Sequence, residues 1–151
     1  MVIRNAEVGY NTNLASEYLM MSLLFRAGKD AYLSLGNKKG VDIIVKTNQG
    51  SICVIEVKGN NKKNDWLIGS NGTFPNKPNL LFALVLFNGK INDINSPADF
   101  WLIPSEILAQ DSEHKIASNN KTVFISFKRI QDNYKEYQNT FIKLDEYLNS
   151  H

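Results

Sequence analysis

The stretch Lys38-Lys39-Gly40-Val41-Asp42-Ile43-Ile44-Val45-Lys46, followed by Thr47-Asn48-Gln49-Gly50-Ser51 and Ile52-Cys53-Val54-Ile55-Glu56-Val57-Lys58-Gly59, decides how this chain is read. Two apolar runs flank a short polar connection ending in Gly50, which predicts a β-hairpin. Each run carries charges that a buried strand should avoid: Asp42 at the start of the first, Glu56 and Lys58 at the end of the second. Burying such groups costs several kcal/mol unless they are paired or bound to a metal. In an antiparallel hairpin the start of one strand lies beside the end of the next, so these charges converge at one edge. Side chains alternate along a strand, so Glu56 and Lys58 share a face. Two carboxylates and an ammonium at one end of an apolar hairpin form a chemical arrangement.

Working outward, the segment before the hairpin predicts a helix from about Leu14 to Arg26, capped by Asn11, Thr12 or Asn13 and stopped at Gly28. Leu14, Tyr18, Met21 and Phe25 fall at helical spacing and are expected to face the core. Glu17 precedes Met21 by four residues and Leu24 by seven. It either lies at the margin of that stripe and reaches solvent, or faces the hairpin and joins its carboxylates. Asp30 to Leu35 reads as a short first strand, and 36–40 as a loop.

After the hairpin, Asn60 to Asn79 is polar and reads as a long exposed loop. Its Trp66 and Phe74 either pin it to the core or offer stacking contacts to bases and sugars. Leu80 to Phe87 is an unbroken apolar run, expected to be a strand buried on both faces. Asn88-Gly89 predicts a turn, Asp99 to Ile103 a strand, and Ser105 to about Gln110 a short helix after Pro104. Asp111 to Asn120 reads as polar loop, with His114 on the surface. Thr122 to Phe127 alternates as an edge or extra strand. A closing helix, about Asp132 to Leu148, sets Tyr134, Tyr137, Phe141, Leu144 and Leu148 on one side, as core or as a dimer face.

The chain of 151 residues fits one domain, 1–151, of ordinary globular composition, with 43% hydrophobic and 21% charged residues. Its apolar runs are too short to span a bilayer, which points away from a membrane protein. A single Cys53 inside an apolar strand fits a reduced, cytoplasmic setting, and one Cys with two His (His114, His151) makes a structural zinc site a poor fit. From Arg26 to Lys63 there are eight basic and three acidic residues, an excess of five. Two of those acids are Asp42 and Glu56. The pairs Lys38-Lys39 and Lys62-Lys63 flank the hairpin where phosphate contacts would be needed, although any single lysine is more often solvated surface.

Gly40-Val41-Asp42 with Glu56-Val57-Lys58, thirteen residues between the carboxylates, resembles the D…(D/E)-x-K signature of the PD-(D/E)XK nuclease superfamily. Val41 stands where the motif's name has proline. The resemblance implies an α/β fold with a restriction-endonuclease-like core, a central mixed β-sheet flanked by helices. It implies a metal-dependent nuclease cleaving phosphodiester bonds, in DNA rather than RNA. Asp42, Glu56 and the Val57 carbonyl would hold Mg²⁺ or Mn²⁺, Lys58 would position or deprotonate water, and Glu17, the only acid in the first helix, would complete the site. Lys38, Lys39, Lys62 and Lys63 would contact the nucleic acid. Without an obvious specificity domain, a homodimer or a partner subunit is expected. Two rivals stand beside this reading. One is an inactive nuclease-fold protein that binds nucleic acid or a protein partner, against which the joint presence of Asp42, Glu56 and Lys58 argues. The other is an unrelated α/β domain in which Asp42 and Lys58 form a structural ion pair.

Overall fold

The computed structural model describes residues 5–34, 41–70, 72–111, 113 and 115–150, without the side chains of 5–8. Helix α1 (Asn5–Arg26) leads into strands β1 (Ala31–Leu33), β2 (Ile43–Lys46), β3 (Ile52–Asn60), β4 (Trp66–Gly69), β5 (Leu80–Leu86) and β6 (Asp99–Pro104). Helix α2 (Ser105–Ala109), β7 (Lys115–Ile116), β8 (Val123–Ile125), α3 (Phe127–Asn133), a 3-10 turn (Lys135–Tyr137) and α4 (Ile142–Ser150) complete the chain. The fold is α/β. A central sheet in the order β1-β2-β3-β5-β6 is antiparallel except where β3 and β5 run parallel, and helices flank it.

The hairpin forms where the sequence places it. β2 and β3 pair antiparallel with Ile43 opposite Ile55 and Lys46 opposite Ile52. Gly50 takes φ 86°, a left-handed value that glycine adopts without steric cost. Thr47 holds this turn through its backbone N–H to Ser51 O at 2.8 Å, and its Oγ1 accepts the Ser51 N–H at 2.9 Å. Strand β5 is buried along its whole length, as its unbroken apolar run predicts. Each of its large side chains contributes roughly 1.5–3 kcal/mol by leaving water.

The sheet's alternation divides the interior in two. Ile43, Val45, Cys53, Ile55, Val57, Leu81, Ala83 and Val85 face Met20, Met21 and Leu24 of α1 and Leu144 and Leu148 of α4. Leu80, Phe82, Leu84, Leu86, Trp101 and Ile103 face the other way, against Trp66, Ile68 and Ile125 of a small β4-β8-β7 sheet and against α2 and α3. The thiol of Cys53 sits inside the first core, where burial pushes its pKa up to about 12. It is a packed side chain with no thiolate at neutral pH.

Four expectations change. Helix α1 begins at Asn5, so Asn11, Thr12 and Asn13 lie inside it rather than at its cap; its stop at Gly28 (φ 71°) is as read. Its inner face is Thr12, Ser16, Met20, Met21 and Leu24, whereas Tyr18 and Phe25 point outward. The 60–79 segment is not one exposed loop, because it contains β4 and the fully buried Trp66. Thr122 to Phe127 does supply an extra strand, as read, in the middle of the small sheet between β4 and β7.

The closing helix is the fourth. It is broken because its stripe serves both cores: Tyr134 and Tyr137 belong to one, Leu144 and Leu148 to the other. A straight helix cannot reach opposite faces of a sheet. Asn139 makes the crossing at β6 with φ 53°, its N–H bonded to Phe100 O at 2.8 Å and its Oδ1 accepting the Phe100 N–H at 2.9 Å. Its Nδ2 donates to Asp99 Oδ1 at 2.9 Å.

Small residues let α1 approach β3 closely. A Cβ on Gly59 would lie 1.9 Å from Ser16 Oγ and 3.1 Å from the Thr12 carbonyl oxygen. Ser16 Oγ donates to that carbonyl at 2.7 Å, so it has little freedom to turn away. Gly59→Ala should therefore cost about 1–3 kcal/mol by overpacking, read as a lower urea midpoint, and a second Ser16→Gly change should recover part of the loss. Undiminished stability in Gly59→Ala would overturn this account of the α1–β3 contact.

Candidate functional site

The site is built where the β2–β3 ladder ends. β2 starts at Ile43, and Asp42 lies at a bend just before it. The register that pairs Ile43 with Ile55 sets Asp42 across from Glu56. Asp42 is tied down on both sides of its own backbone. Its N–H donates to Ile55 O at 3.2 Å and its carbonyl accepts the Ser34 N–H at 2.8 Å. Its side chain folds onto the edge of β3, where Oδ2 accepts the Val57 N–H at 2.7 Å. A strand amide without a partner strand thus gains an ionised acceptor, a charge-assisted bond shorter and stronger than a neutral one.

Val57 is the middle residue of Glu56-Val57-Lys58, so this bond brings Asp42 to the centre of the motif. Glu56 and Lys58 share a face, as strand alternation requires, and Lys58 Nζ lies 2.6 Å from Glu56 Oε1. Glu56 is 9% exposed, while the Lys58 side chain retains a third of its exposure. The pair stands opposite Phe82 and Leu84 of β5, against the second core. With its carboxylate nearly out of water, Glu56 depends on Lys58; removing one partner of such a pair typically costs about 3–5 kcal/mol.

Glu17 reaches the site from α1. It is half-buried on the flank of the inner face, and its pKa is raised, first by burial and then by the Asp42 charge. Its partial exposure places it at the margin of the stripe, where it still feels the Asp42 charge. Glu17 and Asp42 thus interact through their charges, while Glu56 and Lys58 pair on the sheet face that looks away from α1; Asp42 bonds the amide of Val57 between them in sequence. Among the described residues no three acidic, histidine or cysteine side chains stand in metal-ligating geometry. Val57 contributes its amide to this arrangement through Asp42.

The flanking lysines are placed less uniformly. Lys62 and Lys63 are exposed on the turn between β3 and β4, a turn held by Asn60 Nδ2 donating to Asn64 O at 3.0 Å. Lys63 Nζ sits 5.5 Å from the Phe127 ring centroid, a cation–π contact. Lys38, Lys39, His114 and His151 lie outside the described residues. Trp66 is core, 5.8 Å from Trp101 between ring centroids. Phe74 is partly buried, 6.4 Å from Phe82.

Sequence reading missed a second polar cluster. Asp111, expected in an exposed loop, is 6% exposed and accepts bonds from Arg129 Nε at 3.0 Å, from the Glu113 N–H at 2.8 Å and from the Tyr134 hydroxyl. Burial alone would raise its pKa, but the bonds from Tyr134, Glu113 and Arg129 outweigh it and hold the carboxyl low. This cluster fastens the segment after α2 to α3. Arg129 and Tyr134 lie five residues apart on a helix end, a spacing that carries no sequence signal.

The raised pKa of Glu17 fixes a sign. A carboxyl whose folded pKa exceeds its unfolded value favours the fold below the unfolded value, here 4.5, and loses that contribution as pH rises through the folded one. Ionised Glu17 therefore works against the fold at neutral pH. Glu17→Gln should raise the thermal midpoint at neutral pH and lose this advantage below pH 4.5, measured by calorimetry across a pH series. An equal midpoint at all pH values would remove Glu17 from the electrostatics of the site.

Among known proteins, the chain matches no family model, and no curated protein matches it.

Proposed function

We propose that this chain is a metal-dependent nuclease of the PD-(D/E)XK type that hydrolyses phosphodiester bonds in DNA. The observation that carries the proposal is the Asp42 carboxylate docked on the Val57 amide, between the Glu56–Lys58 pair and Glu17. A fold gains little from a carboxylate bonded to a strand-edge amide beside a nearly buried Glu–Lys pair unless their chemistry is used. The donor set suits a hard cation. Glu17 and Asp42 already oppose each other's charge, and a divalent ion relieves that opposition better than hydrogen bonds do. Asp42, Glu56, Glu17 and the Val57 carbonyl do not stand converged in ligating geometry, so they would have to close on Mg²⁺ or Mn²⁺ as it binds; the ion would lower the pKa of water and offset charge on a phosphoryl oxygen.

The residues of the chain divide the remaining work. Asp42 is fixed by three hydrogen bonds, so it offers its carboxylate at low entropic cost. Lys58 is partly exposed and sits on the face of Glu56. There it orients the attacking water and offsets the negative charge that grows on the phosphorane. Glu56 holds the Lys58 ammonium in place. Lys62 and Lys63, with Lys38 and Lys39, supply phosphate contacts that position the backbone without reading sequence. No described helix is long and apolar enough to cross a membrane, and the reading places the protein in the cytoplasm, where DNA is available.

The closed Glu56–Lys58 pair favours one other reading, a protein of the same fold that binds nucleic acid or a partner without cutting it. Plasmid nicking beside calorimetric Mn²⁺ titration separates the two. Wild-type protein should nick DNA only with Mg²⁺ or Mn²⁺, and Asp42→Ala should lose both nicking and ion binding. Lys58→Ala should keep ion binding, because the ammonium repels a nearby cation, yet cut at least about 100-fold more slowly. Wild-type protein that binds DNA but neither takes up Mn²⁺ nor nicks it would establish the non-cutting reading.

A further inference from the structure

Strand alternation puts Ile52, Val54, Glu56 and Lys58 of β3 on one face of the central sheet, the face turned away from α1. The register adds Ile44 opposite Val54, Lys46 opposite Ile52 and Tyr32 opposite Ile44. Over β5 and β6 this face is sealed by the small sheet and by α2 and α3. Val54 is only partly buried at the margin of that cover. Beyond it Tyr32 is 47% and Ile52 45% exposed, and Ile44 is half-buried. On the opposite face of the same three strands, Ala31, Ile43, Val45, Cys53 and Ile55 are buried beneath α1. An open apolar surface with one aromatic ring and one lysine thus runs along the sheet into Glu56 and Lys58. We propose that this surface is a platform for single-stranded DNA, on which a base stacks against the Tyr32 ring and Lys46 meets a phosphate as the strand enters the candidate site.

Chemistry favours this occupant. Single strands are held by aromatic rings that stack on bases and by cations that track the backbone. Lys46 Nζ lies 5.1 Å from the Tyr32 ring centroid, so ammonium and ring already serve one spot. Spacing agrees. Tyr32 faces Ile44 and Asp42 lies two residues before it, which makes Tyr32 and Asp42 diagonal neighbours roughly 7–8 Å apart. About two stacked nucleotides span that distance. Charge agrees as well. The segment from Arg26 to Lys63 that builds the platform carries eight basic and three acidic residues. Asp42 and Glu56 belong to the site itself, and Asp30 lies beside Lys46, at the end away from the site. A second copy of the chain would bring Lys46 toward its equivalent, which a two-fold contact disfavours. A duplex hides its base faces in the stack, so the ring selects an unpaired strand. Trp66 and Phe74 do not compete for that role, since Trp66 is core and Phe74 packs on Phe82. The proposal rests on nucleic acid being the substrate of the candidate site, and it names the form of that substrate.

Fluorescence anisotropy with a labelled single strand and a blunt duplex of the same sequence tests this, in EDTA so that nothing is cut. Wild-type protein should bind the single strand more tightly than the duplex. Tyr32→Ala should weaken single-strand binding about 10-fold with an unchanged salt slope, since stacking releases no counterions. Its circular dichroism should stay that of the wild type, because the side chain is half in water, and Tyr32→Phe should retain full affinity. Lys46→Ala should weaken binding and lower the salt slope by about one. Tyr18→Ala, at an exposed position on α1, should change nothing. Equal single-strand affinity in Tyr32→Ala and wild type, or equal losses on single strand and duplex, would overturn the platform. Wild-type protein that binds no single strand would do the same. Because these readouts involve no cleavage, a wild type that binds single strands through Tyr32 yet nicks no plasmid with Mg²⁺ would refute the nuclease reading and uphold the platform.

Discussion

The contact between α1 and β3 at Gly59 sets the distances on which the rest of the molecule depends. Helix and strand meet there through Ser16, the Thr12 carbonyl and a residue with no side chain. Close approach at that point seats Met20, Met21 and Leu24 on one face of the sheet. It also brings Glu17, one residue beyond Ser16, within the field of Asp42.

The charged cluster sits where sheet geometry makes charges affordable. In the middle of a sheet every amide has a partner strand and side chains are enclosed by neighbours. At the end of the β2–β3 ladder the Val57 amide instead binds the Asp42 carboxylate, and Lys58 keeps contact with water while holding the nearly buried Glu56. The arrangement combines a rigid frame with an edge open to solvent. The proposed chemistry would need both, a fixed frame that loses little entropy on binding and access from solvent.

Much of this was legible in the residues. The hairpin, the buried β5 and the stop at Gly28 rest on local signals: apolar runs of strand length, a glycine at a left-handed position, a turn of polar residues. The shared face of Glu56 and Lys58 rests on strand alternation. The misreadings have a common origin in periodicity. Of the Leu14, Tyr18, Met21 and Phe25 stripe, Met21 is buried with Met20 and Leu24 while Tyr18 and Phe25 are exposed, because helical spacing alone does not say which apolar residues meet the sheet. The C-terminal stripe from Tyr134 to Leu148 is also genuine, but its halves serve cores on opposite faces, and a single asparagine carries the crossing. Trp66 lay in a polar stretch whose composition concealed a short strand.

By itself, then, the sequence determined an α/β domain built on a charged hairpin, because strand alternation and turn chemistry act over a few residues and leave their marks in order along the chain. Tertiary structure decided the rest: which side of α1 is inner, that Asp42 binds an amide at a strand edge, that Glu17 feels its charge, and that Glu56 rests on Lys58. These depend on contacts between residues far apart in the chain. Their outcome turns on how closely two backbones approach, a quantity that one glycine and one serine set here and that no local pattern records.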